Sequence, residues 1–275
     1  SSTVNRRPGM VLIFALATAA LSAVVIPRIQ PESNYIAYFS KDSRVRQANN
    51  LVNDKFGGAA TIEVIVNTGS VNGIEDPAFL HKIKQFQTDV KSINNISHPM
   101  SIVDLLEEEN KALHQSKEEF NRLPQTGIAQ YLLLLESDDD QIVDDFIDFD
   151  HREARIRIMN SSTESQVTAQ ILDQIREMTD TYFPEQTVTI TGIPVLSNKL
   201  QSLIISSQIR SLISAIVFAF LVTSLLLKSP LKGLACAAPI ALTVLVNFGI
   251  MGWTSIPLDS ATSMIASVAV GIGID

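Results

Sequence analysis

Residues 211–258 read SLISAIVFAFLVTSLLLKSPLKGLACAAPIALTVLVNFGIMGWTSIPL. Two uncharged apolar runs, Ser211 to Leu227 and Gly233 to Leu258, are separated only by Lys228-Ser229-Pro230-Leu231-Lys232. At roughly 1.5 Å per residue, runs of this length approach or cover a hydrocarbon core of about 30 Å. So short a connection makes the pair a tight helical hairpin. Upstream, Met10 to Pro27 is free of charge, Asn and Gln and is flanked by Arg6, Arg7 and Arg28. A cleaved signal peptide has the same order of features, but its apolar core is usually about 7–15 residues, shorter than this run. Downstream, Ala261 to Asp275 is apolar and rich in small residues, yet at about 1.5 Å per residue it stops short of a full crossing. A free carboxyl terminus there would lie in hydrocarbon at high cost, so the natural chain is expected to continue. The expected fold is therefore an α-helical transmembrane bundle of four spans, the last incomplete, with an α+β extracytoplasmic domain between spans 1 and 2.

Composition separates the same two materials. The chain has 275 residues, 46% hydrophobic and 18% charged, with a mean hydropathy of +0.21. Residues 28–207 hold 16 Lys+Arg and 27 Asp+Glu, whereas the other 95 residues hold 5 and 2. Twelve Gly, eleven Pro and one Cys exclude a collagen-like repeat, a disordered chain and a disulfide scaffold. With no polybasic run, no nucleic acid partner is expected.

Orientation follows from the cations. Lys228 and Lys232 sit in the short hairpin loop, which the positive-inside rule makes cytoplasmic. Arg6 and Arg7 fall on the same side if residues 10–27 cross once. The expected division is thus a cytoplasmic N-terminus at 1–9, a first span at 10–27, an extracytoplasmic domain at 28–207 and spans 2 to 4 at 208–275. The expected location is the cell inner (plasma) membrane, multi-pass.

The outer stretch alternates strand and helix signals. Thr61 to Asn67 (TIEVIVN) has strand periodicity. Pro77 to Lys91, opened by Asp76-Pro77, has Phe79, Leu80, Ile83, Phe86 and Val90 at helical spacing. Further helices are expected at Ile102–Gln115, Thr126–Leu135 and Ser165–Thr179, a hairpin at Phe146–Phe149 and Ala154–Met159, and a last strand at Thr187–Thr191. This alternation implies an α+β sandwich built from βαβ pieces.

No enzyme is expected. His81, His98, His114 and His151 stand singly, without the spacing of a zinc site. Glu107-Glu108-Glu109 and Asp138-Asp139-Asp140 lack the alternation and Gly of a calcium loop. No GxSxG, phosphate loop or extramembrane Cys is present, and Cys236 reads as a packing residue. Accordingly, neither metal nor cofactor is expected.

Chemistry concentrates at Asp275, because an ionisable residue on an apolar segment is a functional-site hypothesis by default. Counting back by fours gives Gly271, Ser267 and Ser263, a small and polar helical stripe that lets another helix come close. Gly271 and Gly273 flank Ile272 and allow tight packing or a bend. A carboxylate in low dielectric is harder to ionise, so it can load and release protons near physiological pH. Coupling to motion requires that two conformations treat that proton differently. The alternative is an Asp275 that faces water or caps a neighbouring helix. Asn247 is a candidate for a hydrogen bond across the bundle, or for a plain helix contact.

The stretch from Ile256-Pro257-Leu258-Asp259 to Gly271-Ile272-Gly273-Ile274-Asp275 resembles the fourth span of one repeat of an RND-superfamily exporter of the MMPL or hydrophobe-exporting type. Tyr38-Phe39, Phe56-Gly57-Gly58, Thr191-Gly192-Ile193-Pro194 and Lys228-Ser229-Pro230 extend the resemblance along nearly the whole chain. It implies a porter-like outer domain and a proton-relay aspartate at Asp275 in a Gly-x-Gly-x-Asp motif. It further implies proton antiport coupled to efflux of hydrophobic or amphipathic, lipid-like cargo, with a second repeat or a second copy of the chain as partner. The family's Tyr and His beyond the aspartate lie past the end of this sequence. Two other functions share such an architecture: a sterol-sensing-type sensor or scaffold, and a proton-driven protein-translocation accessory.

Overall fold

The computed structural model describes residues 8–29, 35–114, 123–124, 126–137, 142–259, 261–262 and 264. The chain divides into two compact units, Asn34–Asn198 and Ser1–Ser33 with Lys199–Asp275.

The first unit opens with α2 (Arg44–Phe56), α1 belonging to the other unit, and is built on β1 (Ala60–Asn67), α3 (Pro77–Val90), β2 (Ile96–Met100), α4 (Ile102–Leu113), α5 (Ile128–Glu136), β3 (Glu153–Asn160), α6 (Ser165–Tyr182) and β4 (Thr187–Thr191). The four strands lie in the order β2-β3-β1-β4 with antiparallel neighbours. Each βαβ piece therefore has a strand of the other between its two strands. This interleaving is the ferredoxin-like split βαβ arrangement.

Strand periodicity explains the core. Register pairs Ile62 with Ile158, Val64 with Ile156 and Val66 with Ala154, so the apolar side chains of β1 and β3 share one face. All six are fully buried. Helices α3 and α6 cover that face with Leu80, Ile83, Phe86, Ile171 and Ile175. The Asp76 side chain caps α3 by accepting from the Ala78 amide at 2.9 Å, with Pro77 at the first helical position. Phe86 and Phe183 meet with centroids 5.6 Å apart, a tilted pair of the kind aromatic quadrupoles favour.

One expected element is reduced, and two further elements appear that periodicity did not mark. Phe146–Phe149 forms the expected hairpin with the start of β3 but only as an isolated bridge, Ile147 to Ala154, with the Arg155 amide donating to the Phe146 carbonyl at 2.7 Å and the Asp148 amide to the Glu153 carbonyl at 3.2 Å. Ile96–Met100 is a strand despite Pro99; it is short, irregular and at the sheet edge, where a missing N–H costs little. Helix α2, capped by Ser43 and closed by Gly57 in the left-handed region, has no buried residue and hence no apolar stripe to announce it.

Helices α1 (Pro8–Val25) and α8 (Pro230–Thr254) belong to the second unit, as does α7 (Ile193–Leu226) from Lys199 onward, and all three are apolar. Helices α7 and α8 are long and apolar enough to cross a membrane, whereas α1 contributes the shorter stretch Ala15–Val25. The expected four-span bundle is therefore corrected: among the described residues two helices meet the requirement. At its C-terminal end α1 gives way after Val25 to a 3-10 turn, Ile26–Arg28, around Pro27. The fourth run lies outside the described residues except for Ala261, Thr262 and Met264.

The hairpin between α7 and α8 is tighter than its five-residue connection implied. Lys228 takes a positive φ, and Pro230 already occupies the first position of α8, so Lys232 is helical. Gly233 makes this approach possible, since a β-carbon there would meet Ser224 Oγ at 1.9 Å. Leu212 and Ile240 form the buried centre of the contact, with Ile216, Ala219, Val244 and Phe248 packed around them.

Candidate functional site

Asp275, Gly273, Gly271, Ser267 and Ser263 lie outside the described residues. What is described is the entry to their segment. Asp259 is 5% exposed and reciprocally bonded to Thr262: its amide donates to Thr262 Oγ1 at 2.9 Å, and its Oδ1 accepts from the Thr262 amide at 2.7 Å. Thr262 Oγ1 also donates to the Pro257 carbonyl at 3.0 Å. This is the geometry of a helix start in which side chains satisfy the free backbone groups. On α7, Gln201 is 3% exposed and donates its amide to the Leu258 carbonyl at 2.9 Å. The same long helix that follows β4 thus holds the carbonyl preceding the Asp259 cap.

In the sequence Asp259 stands out only as part of the stretch that carries the family resemblance. The Asp-x-x-Thr spacing was the signal available for it. Gln201 has no comparable signature, because nothing in sequence brings it to Leu258. Asn247 is half-buried on α8, and its side chain makes no hydrogen bond to another described residue. Cys236 is exposed on the same helix.

Close packing of α1 on α8 rests on two glycines. A β-carbon at Gly249 would stand 2.5 Å from Ser22 Cβ, and one at Gly252 would stand 2.6 Å from the Val25 carbonyl oxygen. Beside this contact runs an apolar crevice of about 250 Å³ lined by Leu21, Val25, Val246, Ile250 and Trp253. Trp253 is 82% exposed at the end of α8.

In the sheet unit, sequence analysis missed a cluster. His151 stands between two carboxylates, with Nδ1 3.1 Å from Glu75 Oε1 and Nε2 2.6 Å from Glu136 Oε1. Burial alone makes the charged imidazole less favourable, but hydrogen bonds and attraction from Glu136 and Glu75 outweigh it and raise the His151 pKa above its ordinary value. Its partners are 76 and 15 residues away in sequence, so local spacing could not reveal them. No group of three His, Cys, Asp or Glu side chains among the described residues has the geometry to hold a metal ion.

No family model matches the chain. It is similar to a protein of Methanocaldococcus jannaschii named "Putative membrane protein MJ1562", with 22% identity over 288 aligned positions that cover 98% of this chain and 70% of the relative. Together with the two membrane-length apolar helices, this similarity gives the chain a membrane location.

Proposed function

We propose that this chain belongs to a proton-driven secondary transporter that exports hydrophobic or amphipathic molecules such as lipids, in the manner of RND-superfamily exporters of the MMPL type. The observation that carries the proposal is the direct passage from a split-βαβ domain into an apolar hairpin: β4 ends at Thr191, α7 starts at Ile193, and α8 follows after a three-residue turn. Helix α7, 34 residues long, starts two residues after β4 and is long and apolar enough to cross a membrane, so the domain and the hairpin are consecutive in the chain. Asp275 supplies the titratable group, on a segment whose start is fixed by Asp259, Thr262 and Gln201.

In this proposal the protein crosses the plasma membrane more than once, with residues 28–207 extracytoplasmic and Lys228 and Lys232 on the cytoplasmic side. Asp275 takes up a proton from one side and releases it to the other as the helices rearrange. Ser263, Ser267, Gly271 and Gly273 give it a close-packed neighbour, and a second repeat or second copy completes the relay. No chemistry is performed on the cargo.

The test is export of a lipophilic dye, Nile red, from energised membrane vesicles containing the natural protein. Efflux that stops when a protonophore collapses the gradient, and that Asp275→Asn abolishes without loss of folded protein, supports the proposal. Undiminished efflux in Asp275→Asn overturns it.

A further inference from the structure

We propose that the sheet unit carries a proton-operated clasp, in which the protonated His151 imidazole ties helix α5 to the turn between β1 and α3 and, when neutral, lets them part. The chain enters β1 at Ala60, beside Asn160, and leaves β4 at Thr191, beside Glu63. His151 belongs to the opposite end of the sheet, where Asn67 pairs with Glu153.

Three separate elements meet there. His151 closes a tight turn, its amide donating to the Asp148 carbonyl at 3.0 Å, and it takes a left-handed φ of 49°. Its own carbonyl accepts from the Ile74 amide at 3.1 Å, which fixes the turn against the 3-10 segment Gly73–Glu75. The imidazole is therefore held in place by backbone before its side-chain contacts form. Glu75 approaches one ring nitrogen and Glu136, the last residue of α5, approaches the other.

That geometry distinguishes the two protonation states. A neutral imidazole has one N–H and one lone pair, so it can donate to only one of two carboxylates and must present its lone pair to the second. The imidazolium donates to both. On its own turn the charged groups are Asp148, Asp150 and Arg152. Asp148 is occupied, its Oδ1 accepting from the Arg152 and Glu153 amides at 2.7 and 2.6 Å. Asp150 lies 3.9 Å from Arg152 Nη2. Glu75 and Glu136 are therefore the groups that answer to the proton, and their attraction overcomes the effect of burial on the ring.

Helix α5 is the element that responds. It is anchored at one end by Ile128 and Leu132, both buried, and by Tyr131 donating to Asn110 Oδ1 at 2.8 Å. At its C-terminal end Leu133 and Leu134 are exposed and Leu135 packs only partly buried against the core, so the contact of Glu136 with His151 adds to a light hold on that end. Loss of the proton removes one of the two donated hydrogen bonds and frees the last turn of α5. The clasp stands apart from the exporter proposal, since it requires only that this unit meets solvent of varying pH.

The experiment is hydrogen-exchange mass spectrometry on the full chain in lipid nanodiscs, following peptides spanning residues 128–137 at pH 5.5 and pH 8.0, corrected for intrinsic exchange. Protection that falls several-fold at the higher pH, with the step absent in His151→Gln, is the expected result. Equal protection at both pH values, or a step that survives in His151→Gln, overturns the clasp. If that variant does not fold, the NMR titration of the wild-type His151 ring decides: its midpoint must coincide with chemical-shift changes in α5, and a titration that leaves α5 unmoved overturns the clasp.

Discussion

Gly249 of α8 lies against Ser22 of α1 so closely that no β-carbon fits between them without displacing one helix. Small residues at helix contacts permit such an approach, and its value is the dispersion and backbone contact that larger residues would prevent. Gly249→Val should therefore separate α1 from α8 and lower stability by about 1–3 kcal/mol, the usual cost of overpacking. Thermal unfolding in detergent measures it. Gly9→Ala is the control, because a β-carbon at that position meets nothing within 4 Å.

Gln201 reaches across to the Leu258 carbonyl from a nearly fully buried position. In Gln201→Leu that carbonyl loses its donor, which costs about 1–3 kcal/mol if the group stays away from water. The first effect should be local: faster proteolysis between Ile256 and Thr262, before global unfolding changes. Thr262→Val should act in the same direction by removing the hydroxyl that donates to Pro257 and accepts from Asp259, whereas Thr262→Ser retains it.

The His151 cluster makes stability depend on pH with a definite sign. Because the folded pKa lies above the unfolded value, the charged contacts contribute in full below about pH 6.5 and are lost as pH rises through the folded pKa. Urea unfolding of the full chain should give a higher midpoint for the sheet unit at pH 6 than at pH 8. Glu136→Gln should flatten that difference. An unchanged difference in the variant would assign the pH dependence to other groups.

Sequence legibility followed how local each cause was. The alternation in Thr61–Asn67 and the five apolar positions of Pro77–Val90 appear as β1 and α3 because periodicity alone selects the buried face. The strand order was not legible: the pairing of Ile62 with Ile158 and of Val64 with Ile190 is a relation between distant segments. Gly192, noted only for its neighbours in sequence, has φ 112°, and a β-carbon there would meet the Thr61 carbonyl oxygen at 2.3 Å, so its need for glycine is tertiary. At the site, the Asp259–Thr262 cap was written in local spacing, but Gln201 and His151 act through partners 15 to 76 residues away.

The central claim is that a proton passing through Asp275 drives the cycle. Proteoliposomes holding the natural protein and a lumenal pH dye, under an imposed pH gradient, measure it directly. The account predicts a proton flux that an amphipathic compound stimulates and that Asp275→Asn reduces to the level of empty liposomes. Equal stimulated flux in wild type and Asp275→Asn would contradict it.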